Sequence, residues 1–238
     1  MLSEFSNLTR NSQIEKLNES DWEVVIIGGG ISGAGIALES ARMGWKTILL
    51  EKGDFASGTS SRSSGMIHGG LRYLEYGQFN LVKEALKERY FLCKAAPDIV
   101  KPTRFLFPVY KGNRPFWKLK LGIWLYDQLA GKLNLKKHEV KNKIQTLDCI
   151  PQLNSKGLKG SILFSDCLVR DTELVISVIS TAASFGTVAI NYIQAEKPIE
   201  KSGKWHINWQ DKINGKNGYL TGKYIVVCTG VWTDEYLN

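Results

Sequence analysis

The sequence predicts an α/β fold in which a parallel sheet is extended by a small antiparallel β-meander. Val24–Ile27 and Thr47–Leu50 are short apolar runs, typical of strands buried on both faces of a parallel sheet. Trp205–Trp209 instead alternates apolar and polar residues, which is typical of an antiparallel strand with one face in water. Turn-forming pairs surround it: Ser202-Gly203, Asn214-Gly215 and Asn217-Gly218.

A glycine-rich turn joins the two apolar runs. Its glycines are Gly28, Gly30 and Gly33, spaced G-x-G-x-x-G. Gly28 permits the tight turn out of the strand, Gly30 lets a pyrophosphate approach the backbone, and Gly33 lets the following helix pack close to the sheet. The free N–H groups and positive dipole at the start of that helix favour phosphate binding.

The helix and the second strand complete the motif. Ile36, Ala37, Ala41 and Met43 recur at helical spacing, and Gly44 marks the helix end. Glu51 ends the second strand about 20 residues after the glycines, where a carboxylate can accept hydrogen bonds from a ribose diol. The combination predicts a Rossmann-like dinucleotide site, and the alternative is a glycine-rich turn without a ligand. The motif does not separate FAD from NAD.

The remaining elements follow from apolar periodicity and turn residues. We expect helices over Gln78–Lys94 and Asp171–Ser184, strands over Pro102–Tyr110, Gly160–Phe164, Val188–Tyr192 and Tyr224–Cys228, and a lysine-rich connector over Lys132–Lys143. The helix and strand spanning residues 171–192 suit a return to the first sheet, and His206 in the meander is expected to be exposed rather than catalytic.

Phe116–Ala130 is a candidate amphipathic helix with two interpretations. Trp117 and Trp124, beside Lys118 and Lys120, would suit an anionic bilayer surface. The alternative is that the aromatic and leucine side chains are core and the lysines a solvated face; the core residues would then be Trp117, Leu121, Trp124 and Leu125.

Composition is that of a soluble globular protein with one or two domains. The chain has 238 residues, of which 43% are hydrophobic and 23% charged. No apolar stretch reaches the roughly 18 residues of a membrane span. The first 21 residues lack an apolar signal core, so we expect a short polar helix there and no secretion.

The positive charge of the chain is concentrated in one stretch. The net charge is +8, and residues 111–143 hold nine Lys or Arg against two acids. Nucleic-acid binding is not expected, since no recognised binding module accompanies this charge.

The cysteines are Cys93, Cys149, Cys167 and Cys228. None forms a C-x-x-C pair, so we expect free, mostly buried thiols and no metal site.

A long glycine- and serine-rich loop, residues 52–73, follows the acid. It could be a flexible surface loop, but long loops beside a nucleotide motif are more often functional. The stretch reads TSSRSSGMIHGGLRYLE over residues 59–75. With the preceding GGGISGAGIA run, it resembles the FAD-dependent glycerol-3-phosphate dehydrogenases, part of the wider family of flavin amine and hydroxy-acid oxidases. The resemblance continues through Phe79–Arg89, Gly122–Asp127, Ser165–Cys167 and Thr229-Gly230.

The resemblance implies FAD as cofactor and assigns residues to it. Arg72 would bind the substrate phosphate, Tyr73 would donate a hydrogen bond to the substrate, and His68 would be either the base or a flavin contact. Gly65 stands where the family usually has a lysine. The residues expected at FAD are Gly28, Gly30, Ile31, Ser32, Gly33, Glu51, Lys52, Thr59, Ser60, Ser61, Ser63, Ser64, His68, Gly69, Gly70, Thr229 and Gly230; those expected to be catalytic are His68, Arg72 and Tyr73.

The implied reaction is oxidation of sn-glycerol 3-phosphate to dihydroxyacetone phosphate, with electrons passed to a quinone or to oxygen. We expect a cytoplasmic protein at the inner face of the cell membrane, a homodimer, and a chain that represents the N-terminal half of the enzyme. The alternatives are a related flavin oxidase of an amine or hydroxy acid, or a non-catalytic remnant. The predicted regions are a polar helix (1–21), an FAD-binding domain in two segments (22–95 and 165–238), and part of an α+β substrate domain (96–164).

Overall fold

The computed structural model describes residues 5–18, 21–112 and 115–238. The chain divides into two compact units, one comprising Met1–Ser63 with Asp171–Asn238 and the other Ser64–Arg170. These units divide at 63/64 and 170/171, whereas the predicted boundaries were 95/96 and 164/165. The helix before residue 95 is part of the second unit because it packs there; the predicted functional boundaries stay predictions.

The first unit is built on a seven-stranded mixed sheet. Its strands are β1 (Trp22–Ile27), β2 (Thr47–Leu50), β7 (Val188–Ile190), β8 (Ile193–Ala195), β9 (Ile199–Lys201), β10 (Lys204–Asp211) and β11 (Asn217–Val227). The order is β7-β2-β1-β11-β10-β8, with β9 on β10. Pairing is parallel from β7 to β11 and antiparallel from β11 through β10 to β8 and β9. The predicted fold class is confirmed, including the return of residues 188–190 to the first sheet.

Both faces of the parallel strands are buried, as their continuous apolar runs predict. Val25 and Ile27 point into one core cluster and Val24 and Ile26 into the other. The second cluster is covered by α2 (Ile31–Arg42) and α6 (Asp171–Ser184), and the first includes residues of α1 (Arg10–Leu17) and the meander. The carboxyl ends of β1, β2 and β11 therefore meet at one edge of the sheet.

The N-terminal helix is held by a buried ion pair. The helix covers residues 10–17 of the predicted 1–21, and residues 1–4 and 19–20 lie outside the described part. Arg10 binds the buried Asp211 carboxylate with both terminal nitrogens, at 2.8 and 3.1 Å, and also donates to the Asn191 carbonyl. This guanidinium holds the pKa of Asp211 below its usual value. The pair thus ties the helix to the meander.

We expect Arg10→Ala to lower the free energy of unfolding by about 2 kcal/mol at pH 7, because it leaves a buried carboxylate with fewer partners. A depressed carboxylate pKa stabilises the fold above its unfolded value, and that stabilisation is lost as pH falls through the folded value. The difference between the two proteins should therefore shrink below about pH 4. Urea unfolding at several pH values measures it.

A matched control is Arg42→Ala, because Arg42 pairs with Glu39 at an exposed site on α2. An exposed pair is worth less than about 1 kcal/mol. Equal losses for the two variants, or an Arg10→Ala loss independent of pH, would contradict the role given to the buried pair.

The second unit has a four-stranded antiparallel sheet with helices packed beside it. Its strands are β3 (Met66–Ile67), β4 (Val100–Tyr110), β5 (Glu139–Asn142) and β6 (Leu158–Val169), and its helices are α3 (Phe79–Ala95), α4 (Phe116–Ala130) and α5 (Lys143–Cys149). β6 pairs with the other three strands. The predicted helices over 78–94 and 116–130 and strands near 102–110 and 160–164 are confirmed.

Two predictions about elements are wrong. The lysine-rich connector contains β5 and the start of α5, because backbone pairing with β6 forms the strand despite its charged side chains. Asn217-Gly218 is not a turn, since β11 begins there. The helix predicted after the glycine turn is confirmed as α2. Ala37 and Ala41 are buried, whereas Ile36 and Met43, which follows the helix, are exposed, because the small residues make the close contact with the sheet.

The cysteine prediction is also corrected. The structure joins Cys93 on α3 to Cys167 on β6 as a disulfide, with Cα atoms 7.4 Å apart. Cys149 and Cys228 are free, as predicted, but Cys149 is exposed and Cys228 is only half-buried. The pairing could not be expected from spacing, because α3 and β6 approach only in the folded unit.

Candidate functional site

A cleft of about 810 Å³ opens at the edge of the first unit's sheet where the parallel strands end. It is lined from four parts of that unit: residues 27–32, the stretch from residue 50 to residue 62, residues 193–197 and the stretch from residue 228 to residue 236. Ligands of open α/β sheets bind outside the carboxyl ends of the strands. The cleft is thus in the place where the glycine motif predicts a nucleotide.

The glycines of the turn meet three different requirements. Gly28 has φ +115°, and a Cβ there would collide with the Cys228 carbonyl of β11's extension. A Cβ on Gly33 would collide with the Gly28 carbonyl. Gly30, in contrast, faces the cleft, where the nearest atom to an added Cβ would be the Ser60 hydroxyl at 2.9 Å. Gly28 and Gly33 therefore serve the fold, whereas Gly30 leaves the start of the helix uncovered by a side chain of its own.

The amino end of α2 is furnished with hydrogen-bonding groups. Gly30 is the residue before the first turn, and the Ile31 N–H donates to Ser60 Oγ at 2.9 Å. Ser60 belongs to a short 3₁₀ turn, Thr59–Ser61, from the serine-rich loop. Unpaired N–H groups at a helix start together with a hydroxyl form an anion-binding surface. The predicted residues Gly30, Ile31, Ser32, Thr59 and Ser60 all line the cleft.

Glu51 lies in the cleft and also supports its walls. One carboxylate oxygen accepts from the Gly29 N–H and the other from the Gly53 N–H, both at 2.7 Å. Each oxygen retains a further lone pair, so the carboxylate can still accept from a sugar hydroxyl. The acid therefore fixes the glycine turn while remaining available to a ribose.

Other predicted residues of the first unit occupy different positions. Lys52, Thr229 and Gly230 line the cleft, and the Lys52 ammonium lies 5.3 Å from the Trp232 ring centroid. Ser61 Oγ donates to the Gly58 carbonyl at 3.3 Å, and Ser63 Oγ donates to Asp171 at the start of α6. Ser61 and Ser63 thus have protein partners and do not line the cleft.

The remaining candidates belong to the second unit: Ser64, His68, Gly69, Gly70, Arg72 and Tyr73. Gly70 has φ +70° and turns the chain into a 3₁₀ stretch, Leu71–Tyr76, that carries Arg72 and Tyr73. Both of these side chains and His68 are exposed. His68 Nδ1 accepts from the Gly70 N–H at 3.0 Å, which fixes the ring against its own loop.

Sequence reasoning did not single out several residues of the cleft. These are Gly58 and Arg62 of the loop, Gln194–Lys197 in and after β8, and Trp232, Glu235 and Tyr236 near the end of the chain. Tyr236 donates to the Glu196 carbonyl at 2.6 Å, and burial raises its pKa. Residues 194–197 lie at the end of β8, and a recognisable strand there would have predicted their place at the cleft. β8 is only three residues long, which is too short to give a sequence pattern.

Comparison with known proteins agrees with this geometry. A family model described as "DAO: FAD dependent oxidoreductase" matches residues 23–238. The chain is 39% identical over 92% of its length to a glycerol-3-phosphate dehydrogenase of Synechocystis sp., of which it covers 41%. It is 38% identical over 91% of its length to D-erythritol 1-phosphate dehydrogenase of Brucella abortus, of which it covers 43%. The chain thus spans about two fifths of these relatives.

A solved structure shares the architecture. The glycerol-3-phosphate dehydrogenase of Bacillus halodurans, complexed with FAD, superposes with a TM-score of 0.74 and 29% sequence identity. The match covers 95% of this chain and 38% of that one. The bare helix N-terminus at Gly30, the Ser60 hydroxyl and the Glu51 carboxylate provide what the pyrophosphate and ribose of a dinucleotide require.

Proposed function

We propose a function from the premise that the chain belongs to the family of FAD-dependent oxidoreductases whose model matches residues 23–238. FAD is accordingly its cofactor, and the cleft of the first unit fits the ADP half of that group. The proposed reaction is oxidation of sn-glycerol 3-phosphate to dihydroxyacetone phosphate, with this chain supplying the N-terminal part of the enzyme. One observation carries the substrate: 39% identity over 92% of the chain to a glycerol-3-phosphate dehydrogenase.

The exposed side chains of the second unit suit a phosphorylated alcohol. Arg72 can bind a phosphate dianion through two parallel hydrogen bonds, and Tyr73 can donate to a substrate oxygen. When bound, FAD supplies the acceptor for the two electrons removed from the alcohol. The final acceptor in the proposal is a quinone or oxygen. These roles for Arg72 and Tyr73, and those of the residues predicted at FAD, are part of the proposal.

The hydrogen bond of His68 bears on its role. Because Nδ1 accepts from the Gly70 N–H, a neutral ring carries its proton on Nε2. A protonated Nε2 donates a hydrogen bond and cannot take the proton of the substrate hydroxyl. We therefore assign His68 a contact with the flavin or substrate oxygen rather than the role of general base.

Anaerobic mixing of the full-length, flavin-bound enzyme with sn-glycerol 3-phosphate tests the reaction. Loss of the visible flavin absorption within seconds, on the order of typical enzyme turnover, is expected. Unchanged absorption with this substrate would overturn the substrate assignment. A protein that never carries flavin would instead support a non-catalytic role.

A second candidate substrate is D-erythritol 1-phosphate. The dehydrogenase of that compound from Brucella abortus is 38% identical to this chain. Gly65, with no side chain, stands where the family usually has a lysine, and it adopts φ +64°. Parallel assays with both polyol phosphates, an amino acid and a hydroxy acid decide among the proposed reaction, this candidate and a related flavin oxidase.

Glu51→Gln should weaken FAD binding about 10-fold. The amide lacks the negative charge and replaces one of the two carboxylate oxygens, which accept hydrogen bonds from the turn and, in the proposal, from the ribose. Fluorescence titration of flavin-free protein with FAD measures the change. Glu39→Gln, on the exposed face of α2, is the matched control. Equal FAD affinities for the two variants would contradict the role of Glu51.

The proposal includes peripheral contact with an anionic membrane through α4. Trp117, Leu121 and Trp124 are each more than half exposed, so the core interpretation is wrong for them; Leu125 is half-buried. The ammonium of Lys118 lies over the Trp117 ring, and that of Lys120 lies over the Phe116 ring. Aromatic side chains flanked by lysines suit the headgroup region. No helix among the described residues could cross a bilayer.

Co-sedimentation with phosphatidylglycerol vesicles tests this contact. The wild-type protein should pellet with them and not with phosphatidylcholine vesicles, and Trp117→Ser with Trp124→Ser should abolish the effect. Trp45→Ser, an exposed tryptophan of the first unit, is the control. Failure of the wild-type protein to pellet removes the membrane from the proposal. The cytoplasmic location and homodimer stay predictions, which fractionation and analytical ultracentrifugation check.

A further inference from the structure

Three segments that the cleft does not use converge inside the second unit. They are Phe79–Arg89 on α3, Gly122–Asp127 on α4 and Ser165–Cys167 on β6. Each contributes one buried polar side chain to a single cluster, formed by Arg89, Tyr126 and Asp166. We call these three residues the buried triad.

The buried triad is a directed chain of hydrogen bonds that ends on the Gly69 backbone. The Gly69 N–H donates to the Tyr126 hydroxyl at 2.7 Å, and that hydroxyl donates to Asp166 Oδ1 at 2.7 Å. Arg89 Nη1 donates to the same carboxylate oxygen at 2.6 Å and to the Ser165 carbonyl at 3.0 Å. A phenol has one proton to donate, so accepting from Gly69 and donating to Asp166 gives it a defined orientation.

Burial makes this chain costly to break. Arg89 is fully buried and Tyr126 and Asp166 are each 2% exposed. Burial and the Asp166 carboxylate raise the pKa of Tyr126, so its hydroxyl stays protonated and able to donate. A buried donor or acceptor left without a partner loses its full solvation, so each link depends on the next.

Among the described residues, Arg89 Nε and Nη2 have no hydrogen-bond partner. A buried ion pair of this kind contributes little net stability compared with apolar packing. Its geometry therefore points toward orienting Tyr126 rather than toward stabilising the unit.

The Gly69 backbone lies close against the buried triad and α3. A Cβ at this position would lie 2.6 Å from both Leu86 Cγ and the Tyr126 hydroxyl, so the chain is pressed against α3 and α4. The next residue, Gly70, takes φ +70° and its N–H donates to His68. Fixing the Gly69 peptide therefore also fixes where His68 and the following 3₁₀ stretch begin.

We propose that Tyr126, oriented by Asp166 and Arg89, is a positioning residue that holds the His68–Tyr73 segment in its working conformation. The proposal rests on the proposed function for the roles of His68, Arg72 and Tyr73. The buried triad touches neither substrate nor cofactor in this scheme; it acts through the peptide of Gly69. Displacement of reacting groups by about 1 Å can cost 100-fold in rate.

Tyr126→Phe tests this positioning role because it removes one oxygen and keeps the ring. Amide hydrogen exchange over residues 66–76 should become at least about 10-fold faster at Gly69, since its N–H loses a buried acceptor. With sn-glycerol 3-phosphate and saturating FAD, kcat/KM should fall about 30-fold. Tyr76→Phe is the matched control, because Tyr76 is an exposed tyrosine of the same 3₁₀ stretch.

The proposal is overturned if Tyr126→Phe shows the same amide exchange rates and kcat/KM as the wild-type protein. It is also overturned if the two tyrosine variants have equal effects. If Tyr126→Phe does not fold, exchange in the wild-type protein decides: protection of the Gly69 amide supports the link, and exchange at the rate of exposed amides overturns it. A wild-type protein that oxidises no polyol phosphate overturns the proposed function, while the exchange comparison still tests the hydrogen bond.

Discussion

Replacing Gly30 with valine is expected to weaken FAD binding at least about 100-fold while the protein remains folded. Gly30 lines the cleft at the start of α2, where the Ile31 N–H and the Ser60 hydroxyl meet. A branched side chain there covers the N–H groups that a pyrophosphate needs. Loss of two charge-assisted hydrogen bonds, at roughly 1.5–3 kcal/mol each, gives an effect of this size.

Gly35→Val is the matched control, because it places the same side chain on the same helix. Apart from its chain neighbours and the backbone of its own helix, no atom of the described residues lies within 4 Å of a Cβ built there, and the residue does not line the cleft. Fluorescence titration of flavin-free protein should therefore give wild-type FAD affinity for Gly35→Val and a large loss for Gly30→Val. Similar affinities for both would show that the helix N-terminus does not hold the pyrophosphate.

Gly28→Ala should destabilise the first unit by more than about 3 kcal/mol, before any ligand is considered. Its φ of +115° is unfavourable for a residue with a Cβ, and that Cβ would overlap the Cys228 carbonyl. The parallel strands β1 and β11 would have to separate. Urea unfolding of flavin-free protein measures this loss.

Gly186→Ala separates the cost of the backbone conformation from the cost of the Cβ collision. Gly186 has φ +99°, and a Cβ there meets open space among the described residues. It should cost only about 1–2 kcal/mol, the cost of the backbone conformation alone. If Gly28→Ala were no more destabilising than Gly186→Ala, the close approach of the two strands would not be the reason for a glycine at position 28.

The cofactor half of the site was predictable because its signals are local. A buried strand, three glycines, a helix and an acid lie within Val24–Glu51, and each has a distinct physical requirement. The structure confirms this β1-α2-β2 unit and places Glu51 in the cleft. The second role of Glu51, in accepting the Gly29 and Gly53 N–H groups, depends on turn geometry and could not be predicted from spacing.

What the sequence did not reveal depends on contacts between distant residues. Tyr126 reaches Gly69, and Asp166 reaches Tyr126, only when α4 and β6 pack beside α3. The family resemblance marked the segments that carry Tyr126 and Asp166, but it did not indicate these contacts. β5 was missed because its charged residues give no apolar alternation, and its register comes from β6. The exposed tryptophans of α4 were ambiguous because helical spacing alone does not say which face is buried.

The most direct test of the central claim is the flavin content of the purified protein. Denaturation should release about one FAD per chain, and the flavin-free protein should rebind FAD with a dissociation constant of about 1 μM or tighter while ignoring NAD⁺. Absence of bound flavin together with no measurable FAD affinity, or preferential binding of NAD⁺, would contradict the assignment of this cleft.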